Sequence, residues 1–186
     1  MIFFIRHGQT DANLKRINAG GGPGGDVPLN ETGRAQARAF SAAHQVFIES
    51  IDHVFISPMI RAQQTAELIL AGHNKTTDNL HDLREMELGE WEGVSYDIST
   101  DFFQNQVQPP GGESWLNFRT RSINALRHAG GKHQGNVLVI AHGGVWFSYA
   151  HITGHKELFI ENCVRMDVCR VKLGQIILPN PDNGLS

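Results

Sequence analysis

Cysteine is scarce in this chain of 186 residues, which contains only Cys163 and Cys169. The two lie six residues apart in what the apolar pattern indicates is a single strand. At that separation, two side chains on one face of a strand are too far apart to form a disulfide. We therefore expect two reduced thiols, which is typical of a cytoplasmic protein.

Long hydrophobic runs and an excess of positive charge are also absent. The N-terminal apolar run covers only Ile2 to Ile5, far short of a signal-peptide core or a membrane span. A net charge of -3 gives no general attraction to nucleic acid or to an anionic membrane. We expect neither partner, so any bound anion must be held by a local cluster of cations.

Metal-binding motifs are missing as well. The chain has 10 histidines, but none of them occurs in an HExxH motif or at the spacing of Cys/His zinc ligands. His151 and His155, four residues apart, are interpreted as surface residues one helical turn apart. We therefore predict no metal site and no cofactor.

The composition that remains is that of an ordinary globular protein, with 40% apolar and 19% charged residues. Its length suits one domain, 1–186. Three runs are apolar throughout, as in strands buried on both faces: Ile2–Ile5, His53–Ile56 and Val137–Ile140. They predict an α/β fold with a mostly parallel central sheet and helices on both faces.

Four segments between these strands are predicted to be helical. The pattern predicts helices at Asn30–Val46, from an N-cap at Ser57 to Ala71, from Ser114 to Gly130, and at Gly144–Ile152. Val164–Val171 and Gln175–Leu178 are predicted to form a closing hairpin around Gly174.

The segment 19–26, AGGGPGGD, is compositionally unusual. Its backbone amides could hold a phosphate, but the Gly-Lys-Ser/Thr ending of a P-loop is absent. A mobile surface loop is therefore the favoured interpretation.

Polar side chains follow each of the three buried strands. Arg6 and His7 end the first, Arg61 lies one turn beyond the second, and His142 ends the third. Because ligands bind beyond the carboxyl ends of strands in an open α/β sheet, we expect these side chains to meet. Guanidinium groups, imidazoles and the amides of helix starts form an anion site that suits phosphate. Asn13 could donate a further hydrogen bond.

Five ordered motifs, which together cover nearly the whole chain, resemble those of the histidine phosphatase superfamily, the phosphoglycerate mutase-like proteins. They are Arg6-His7-Gly8-Gln9-Thr10, Ser57 to Thr65 with Arg61-Ala62, Leu83-Arg84-Glu85 with Gly89 to Gly93, Pro110 to Ser114, and Ala141-His142-Gly143-Gly144. The resemblance implies a phosphoglycerate mutase-like three-layer sandwich.

The resemblance also assigns roles. His7 would be the nucleophile that forms a phosphohistidine, and Glu85 would protonate the leaving oxygen and then activate water. The other site residues, Arg6, Arg61, His142 and Asn13, would hold the phosphoryl group. Because the arginines supply the positive charge, no metal is required.

Acidic and aromatic residues near the site are interpreted separately. Glu87, Glu90 and Glu92 are expected to be solvated. Trp115 and Phe118 are expected in the core, whereas Trp91 and Tyr96 could form substrate walls.

The segment after Glu85 would form a short cap, approximately 86–113, whereas cofactor-dependent mutases of this superfamily carry a long insertion there. A short cap leaves the site open to water, which favours a phosphomonoesterase acting on a small-molecule phosphomonoester, similar to α-ribazole phosphatase-like enzymes. Three alternatives stay open: a 2,3-bisphosphoglycerate-dependent mutase, a non-catalytic phosphate-binding regulatory module, and a metallohydrolase. The oligomeric state is not predicted.

Overall fold

The computed structural model describes residues 1–97, 105–157, 159–163 and 165–168, the last range by its backbone alone. Its central element is a five-stranded sheet with the order β3-β2-β4-β1-β5. The strands are β1 (Ile2–Arg6), β2 (His53–Ile56), β3 (Thr76–Asn79), β4 (Val137–Ala141) and β5 (Arg165–Val168). The first four pair in parallel, and β5 runs antiparallel to β1. The predicted, mostly parallel sheet is confirmed.

Six α-helices connect and cover these strands in the described part of the chain. They are α1 (Asp11–Leu14), α2 (Glu31–Ala43), α3 (Gln45–Glu49), α4 (Ile60–Ile69), α5 (Trp115–Lys132) and α6 (Gly143–Thr153). Two 3₁₀ turns, His81–Leu83 and Gly89–Trp91, lie between β3 and α5.

Apart from Arg6 and His53 at their ends, the three inner strands are apolar because each of their two faces packs against helices. Phe4 and Val139 belong to a core that includes residues of α5 and α6. Their neighbours Ile5 and Ile140 belong to a second core that includes residues of α2, α3 and α4. Successive side chains of a strand point to opposite faces, so both faces must be apolar. The expected three-layer sandwich is confirmed.

Two helix starts were predicted correctly, and in each the first residue caps the helix with its side chain. The Asn30 side chain accepts a hydrogen bond from the Gly33 amide at 2.9 Å, and the Ser114 hydroxyl accepts one from the Asn117 amide at 3.1 Å. The predicted helix from Asn30 ends at Ala43, and the chain turns at His44 into the short α3.

The prediction that Ser57 caps α4 was wrong. This helix begins three residues later, at Ile60, and ends at Ile69 rather than at Ala71. The Ile60 amide donates to the carboxylate of Asp26 at 2.8 Å. A residue from the glycine-rich segment thus satisfies one of the free amides at the start of α4. Ser57 is left available for another partner.

Strand β3 was not predicted. Its sequence, Thr-Thr-Asp-Asn, has no apolar residue, because among the described strands it lies at the sheet edge and pairs with β2 alone. Polar residues on an exposed edge also discourage pairing with another chain.

The C-terminal part is described only partly. Within the predicted strand Val164–Val171, β5 is present, whereas Gln175–Leu178 lies outside the described residues. Cys163 is free and buried, and burial raises the pKa of its thiol to about 12. Cys169 lies outside the described residues. In the ranges described above, no helix has both the length and the apolarity needed to cross a bilayer.

Candidate active site

The carboxyl ends of β1, β2 and β4 bring the predicted site residues together. The His7 amide donates to the Ala141 carbonyl at 2.9 Å, so the chain leaving β1 stays beside the chain leaving β4. The ring centroids of His7 and His142 are 5.2 Å apart. Arg61, in the first turn of α4, donates from Nε to His7 Nε2 at 3.2 Å. Three separate stretches of sequence therefore meet around one imidazole.

His7 is held in one tautomer by its own backbone. Its Nδ1 lies 2.7 Å from the carbonyl oxygen of Gly8, which can only accept, so Nδ1 carries the proton and Nε2 carries a lone pair. Burial first, then the charges of Arg61 and Arg6, hold the pKa of His7 well below its usual range. The ring is therefore neutral at physiological pH and has an unprotonated nitrogen suited to nucleophilic attack.

Arg61 is fully buried, and backbone carbonyl groups neutralise part of its charge. Its guanidinium donates to the carbonyl groups of Gly25 at 2.6 Å, Ala19 at 3.2 Å and Gly20 at 3.3 Å. These contacts orient the plane of the guanidinium, whose Nε points at His7. A cation fixed in this way needs no reorganisation when an anion arrives.

The segment 19–26 is therefore not the surface loop that the sequence favoured. Gly20, Gly21, Gly22 and Gly25 are buried or nearly so. The amides of Gly20 and Gly22 donate to the two carboxylate oxygens of Glu92, at 2.7 and 3.1 Å. A Cβ on Gly21 would collide with the carbonyl oxygen of Glu85. The glycines permit the close backbone packing that brings their carbonyl groups to Arg61. The prediction that Glu92 is solvated was wrong, because its carboxylate binds the amides of this segment.

Glu85 reaches the site from the segment after the first 3₁₀ turn. Its two oxygens accept from the backbone amides of Gly144 and Met86, each at 3.0 Å. Behind it, Arg121 of α5 donates to the Glu85 carbonyl at 2.9 Å and pairs with Glu113 at 2.7 Å. Both the side chain and the backbone of Glu85 are thus held in place.

His142 has no exposed surface and lies behind the site. Its Nε2 is 2.7 Å from the hydroxyl of Ser57. Ser57 thus contacts His142 and does not cap α4. No described residue hydrogen-bonds its Nδ1. Burial, followed by the charge of Arg61, lowers the pKa of this imidazole well below its usual range, so the ring is neutral and carries one N–H donor.

Arg6 and Asn13 complete the polar end. Arg6 donates from Nη1 to the Ile160 carbonyl at 2.8 Å, and no described residue hydrogen-bonds its buried Nε. Asn13 forms a capping box with Thr10 at the start of α1, and its amide nitrogen lies 3.4 Å from the hydroxyl of Tyr96.

A cavity of about 370 Å³ opens between these side chains. Arg6, His7, Asn13, Arg61 and Glu85 line its polar end. Its remaining wall includes Met86, Leu88, Tyr96, Phe147, Phe159 and Ile160. His142 and Trp91 are not among the residues that line it, whereas Tyr96 is, as expected.

This constellation has the chemical groups that phosphoryl transfer requires. A neutral imidazole can act as a nucleophile, two guanidinium groups carry fixed positive charge, and a carboxylate can move a proton. Among the described residues, no cluster of histidine, cysteine, aspartate or glutamate could hold a metal ion.

The family model for the histidine phosphatase superfamily (branch 1) matches residues 2–172. The chain belongs to that superfamily. Two curated members show how far the similarity of this chain extends. It is 36% identical over 159 residues to the Arabidopsis thaliana "Phosphoglycerate mutase-like protein 4", an alignment that covers 77% of this chain and 66% of that protein.

The second member is the Escherichia coli "Adenosylcobalamin/alpha-ribazole phosphatase", 31% identical over 157 residues, covering 77% of this chain and 74% of that protein. Among solved structures, the phosphoglycerate mutase from Thermus thermophilus superposes with a TM-score of 0.71 at 26% identity. That match covers 88% of this chain and 90% of the other.

Several residues that support the site were not predicted from the sequence. Ser57 contacts His142, and Arg121 donates to the Glu85 carbonyl. The Glu113 carboxylate pairs with Arg121, and Glu92 anchors the glycine-rich segment. Ser57, Glu92 and Glu113 lie inside the recognised motifs, but a sequence motif does not identify the residue that each side chain contacts. Trp115 and Phe118 are buried, as expected for core residues.

Gly144→Ala tests whether Glu85 must occupy its observed position. A Cβ at residue 144 would meet Glu85 Oε1, and it would lie 3.0 Å from Cζ of Phe118. Displacing a catalytic group by about 1 Å can cost roughly 100-fold in rate, so we expect kcat/KM for ethyl phosphate to fall by about that factor. The melting temperature should change little, since alanine is the better helix former.

Gly131→Ala is the matched control for this substitution. Gly131 is also helical, and a Cβ built on it meets nothing within 4 Å. It should keep full activity. A Gly144→Ala enzyme that turns over as fast as the control would show that the carboxylate position is not critical.

Proposed function

We infer that the protein is a phosphomonoesterase acting on a small phosphorylated metabolite, and we propose that it works without a metal ion through a phosphohistidine at His7. The observation that carries the proposal is the unprotonated Nε2 of His7, which lines the cavity together with Arg6 and Arg61. The relative named as an adenosylcobalamin/alpha-ribazole phosphatase supports hydrolysis as the reaction.

In the first step, the lone pair of His7 Nε2 attacks phosphorus while the bond from phosphorus to the ester oxygen breaks. The leaving oxygen takes a proton from the carboxyl group of Glu85. Arg61, whose Nε donates to His7 in the free protein, transfers that hydrogen bond to a phosphoryl oxygen. Arg6 would bind a second oxygen. When Ser57 donates to Nε2 of His142, the Nδ1 of that ring carries the proton and would bind a third oxygen, so that both groups stabilise the negative charge.

In the second step, water attacks the phosphorus of the phosphohistidine. Glu85, now a carboxylate, accepts the proton of that water, and the bond from phosphorus to His7 breaks. Inorganic phosphate leaves, and both His7 and Glu85 return to their starting protonation states. The two steps consume one water and need no further reactant.

A phosphoglycerate mutase is the second candidate, since the solved Thermus thermophilus structure carries that name. It differs only in the acceptor of the phosphoryl group, which would be a sugar-acid phosphate instead of water. The short cap, approximately 86–113, favours water. Residues 98–104 of this cap lie outside the described residues.

Rapid quenching tests the phosphohistidine. With a ³²P-labelled monoester and excess EDTA, we expect the protein to carry label that is lost in acid and kept in base, as phosphohistidine is. Failure to label, or activity that disappears in EDTA and returns with a divalent metal, would refute the mechanism. Interconversion of 3-phosphoglycerate and 2-phosphoglycerate faster than phosphate release, with 2,3-bisphosphoglycerate present, would favour the mutase.

A further inference from the structure

We propose that the substrate of this site is a monophosphate ester whose alcohol part is uncharged and carries an apolar or aromatic group. The proposal rests on the proposed function, because it assumes that the phosphate end of the substrate lies between Arg6, Arg61 and His7. It concerns the other half of the cavity, which must receive the part of the substrate that leaves.

The first observation is the distribution of charge around the site. No lysine or arginine occurs anywhere in residues 86–118, the stretch that includes the cap. The acidic residues of that stretch are Glu87, Glu90, Glu92, Asp97, Asp101 and Glu113. The sequence of this stretch therefore supplies no cation that could pair with a second phosphate or a carboxylate of the substrate.

In the described part of the chain, the residues that line the cavity also lack cations away from the phosphate end. Among the described residues that line the cavity, the cations are Arg6 and Arg61, and both lie at the phosphate end. On the Tyr96 side, the exposed Arg16 is paired with Asp97 at 3.5 Å and does not line the cavity. One dianionic phosphate uses the available positive charge completely.

The second observation is a pair of aromatic side chains in the cavity wall. Phe147 of α6 and Phe159 both line the cavity, and their ring centroids are 5.6 Å apart at an interplanar angle of 31°. Phe159 remains 71% exposed, although burial of a phenylalanine side chain is normally favourable. An aromatic ring on the substrate would cover this surface.

Aliphatic side chains extend the same wall. Met86, Leu88 and Ile160 also line the cavity. The backbone amide of Met86 binds the Glu85 carboxylate, and the backbone carbonyl of Ile160 binds Arg6. Methionine adapts its shape to irregular apolar ligands. The distribution of charge and the wall of apolar atoms are independent observations, and both point to an uncharged apolar alcohol part.

The test compares three esters whose leaving alcohols are all primary. They are ethyl phosphate, 2-phenylethyl phosphate and 3-phosphoglycerate. Burial of the phenyl group should raise kcat/KM for 2-phenylethyl phosphate roughly tenfold or more above that for ethyl phosphate. The extra carboxylate should place 3-phosphoglycerate about tenfold or more below ethyl phosphate.

Variants of Phe159 locate the effect. Phe159→Ala should lower kcat/KM for 2-phenylethyl phosphate about fivefold, mostly through KM, and should lower the value for ethyl phosphate by a smaller factor. Phe159→Lys adds a cation to the cavity wall, so it should raise kcat/KM for 3-phosphoglycerate relative to kcat/KM for 2-phenylethyl phosphate. Val46→Ala is the matched control, since Val46 is 86% exposed and does not line the cavity.

The outcomes separate the two proposals. If no ester is hydrolysed, or if hydrolysis does not require His7, the proposed function fails. If hydrolysis requires His7 but 3-phosphoglycerate is the best of the three esters, the function stands and the apolar substrate is refuted. Equal effects of Phe159→Ala on both uncharged esters would also refute it.

Discussion

Replacement of His7 by alanine is expected to lower kcat/KM for every phosphomonoester by about 10,000-fold or more, a loss typical of removing a covalent nucleophile. The reason is chemical rather than structural. His7 Nε2 carries the lone pair that attacks phosphorus, and it is the imidazole nitrogen that Arg61 Nε contacts. The residual rate should resemble that of a phosphate-binding cavity without a nucleophile.

Loss of folding must be separated from loss of chemistry in this variant. His7→Ala should still bind inorganic phosphate, because Arg6 and Arg61 remain, and it should no longer become labelled by a ³²P-ester. His81→Ala is the control, since His81 lies on the surface, and it should keep wild-type kcat/KM. A His7→Ala enzyme that is folded, binds phosphate and still hydrolyses esters at more than about 1% of the wild-type rate would remove His7 from the mechanism.

The meeting of the site residues could be predicted because it depends on the strands alone. Ile2–Ile5 and Val137–Ile140 are apolar throughout, a pattern typical of parallel strands buried on both faces. Once the strands are parallel, their carboxyl ends share an edge, and His7 and His142 must meet there. Their meeting does not depend on any particular side-chain contact.

The backbone groups that bind and orient Arg61 could not be predicted in this way. Its partners, the carbonyl groups of Gly20 and Gly25, lie 41 and 36 residues away along the chain. The Glu92 carboxylate, which accepts from the Gly20 amide, is 72 residues from that glycine. Glycine-rich composition is equally typical of exposed loops and of close backbone packing. Only the tertiary contacts decide between these two structures.

The same limit applies to the apolar end of the cavity. Phe147 is in an apolar helix, and nothing in its sequence neighbours distinguishes a cavity wall from the core. Packing of Trp115 against Phe147 helps to set the side of the helix that faces the cavity. A substrate preference therefore becomes visible only when α5 and α6 are placed together.

Glu85→Gln is expected to lower kcat/KM for ethyl phosphate by roughly 100- to 10,000-fold, the usual contribution of a general acid or base. Glutamine can still accept a hydrogen bond from the Gly144 amide, which Glu85 binds at 3.0 Å, so the backbone should stay in place. What is lost is the proton that ethoxide needs as it leaves.

The choice of ester isolates that proton. 4-Nitrophenolate leaves without being protonated, so Glu85→Gln should form the phosphohistidine from 4-nitrophenyl phosphate at nearly the wild-type rate. Water attack still lacks its base, so the phosphohistidine should accumulate. The expected trace is a burst of nitrophenolate equal to the enzyme concentration, followed by slow turnover. Glu90→Gln, at an exposed residue, should show neither the loss nor the burst. Equal slowing of both esters with no burst would mean that Glu85 only positions its neighbours, because a proton donor must matter more for the more basic leaving group.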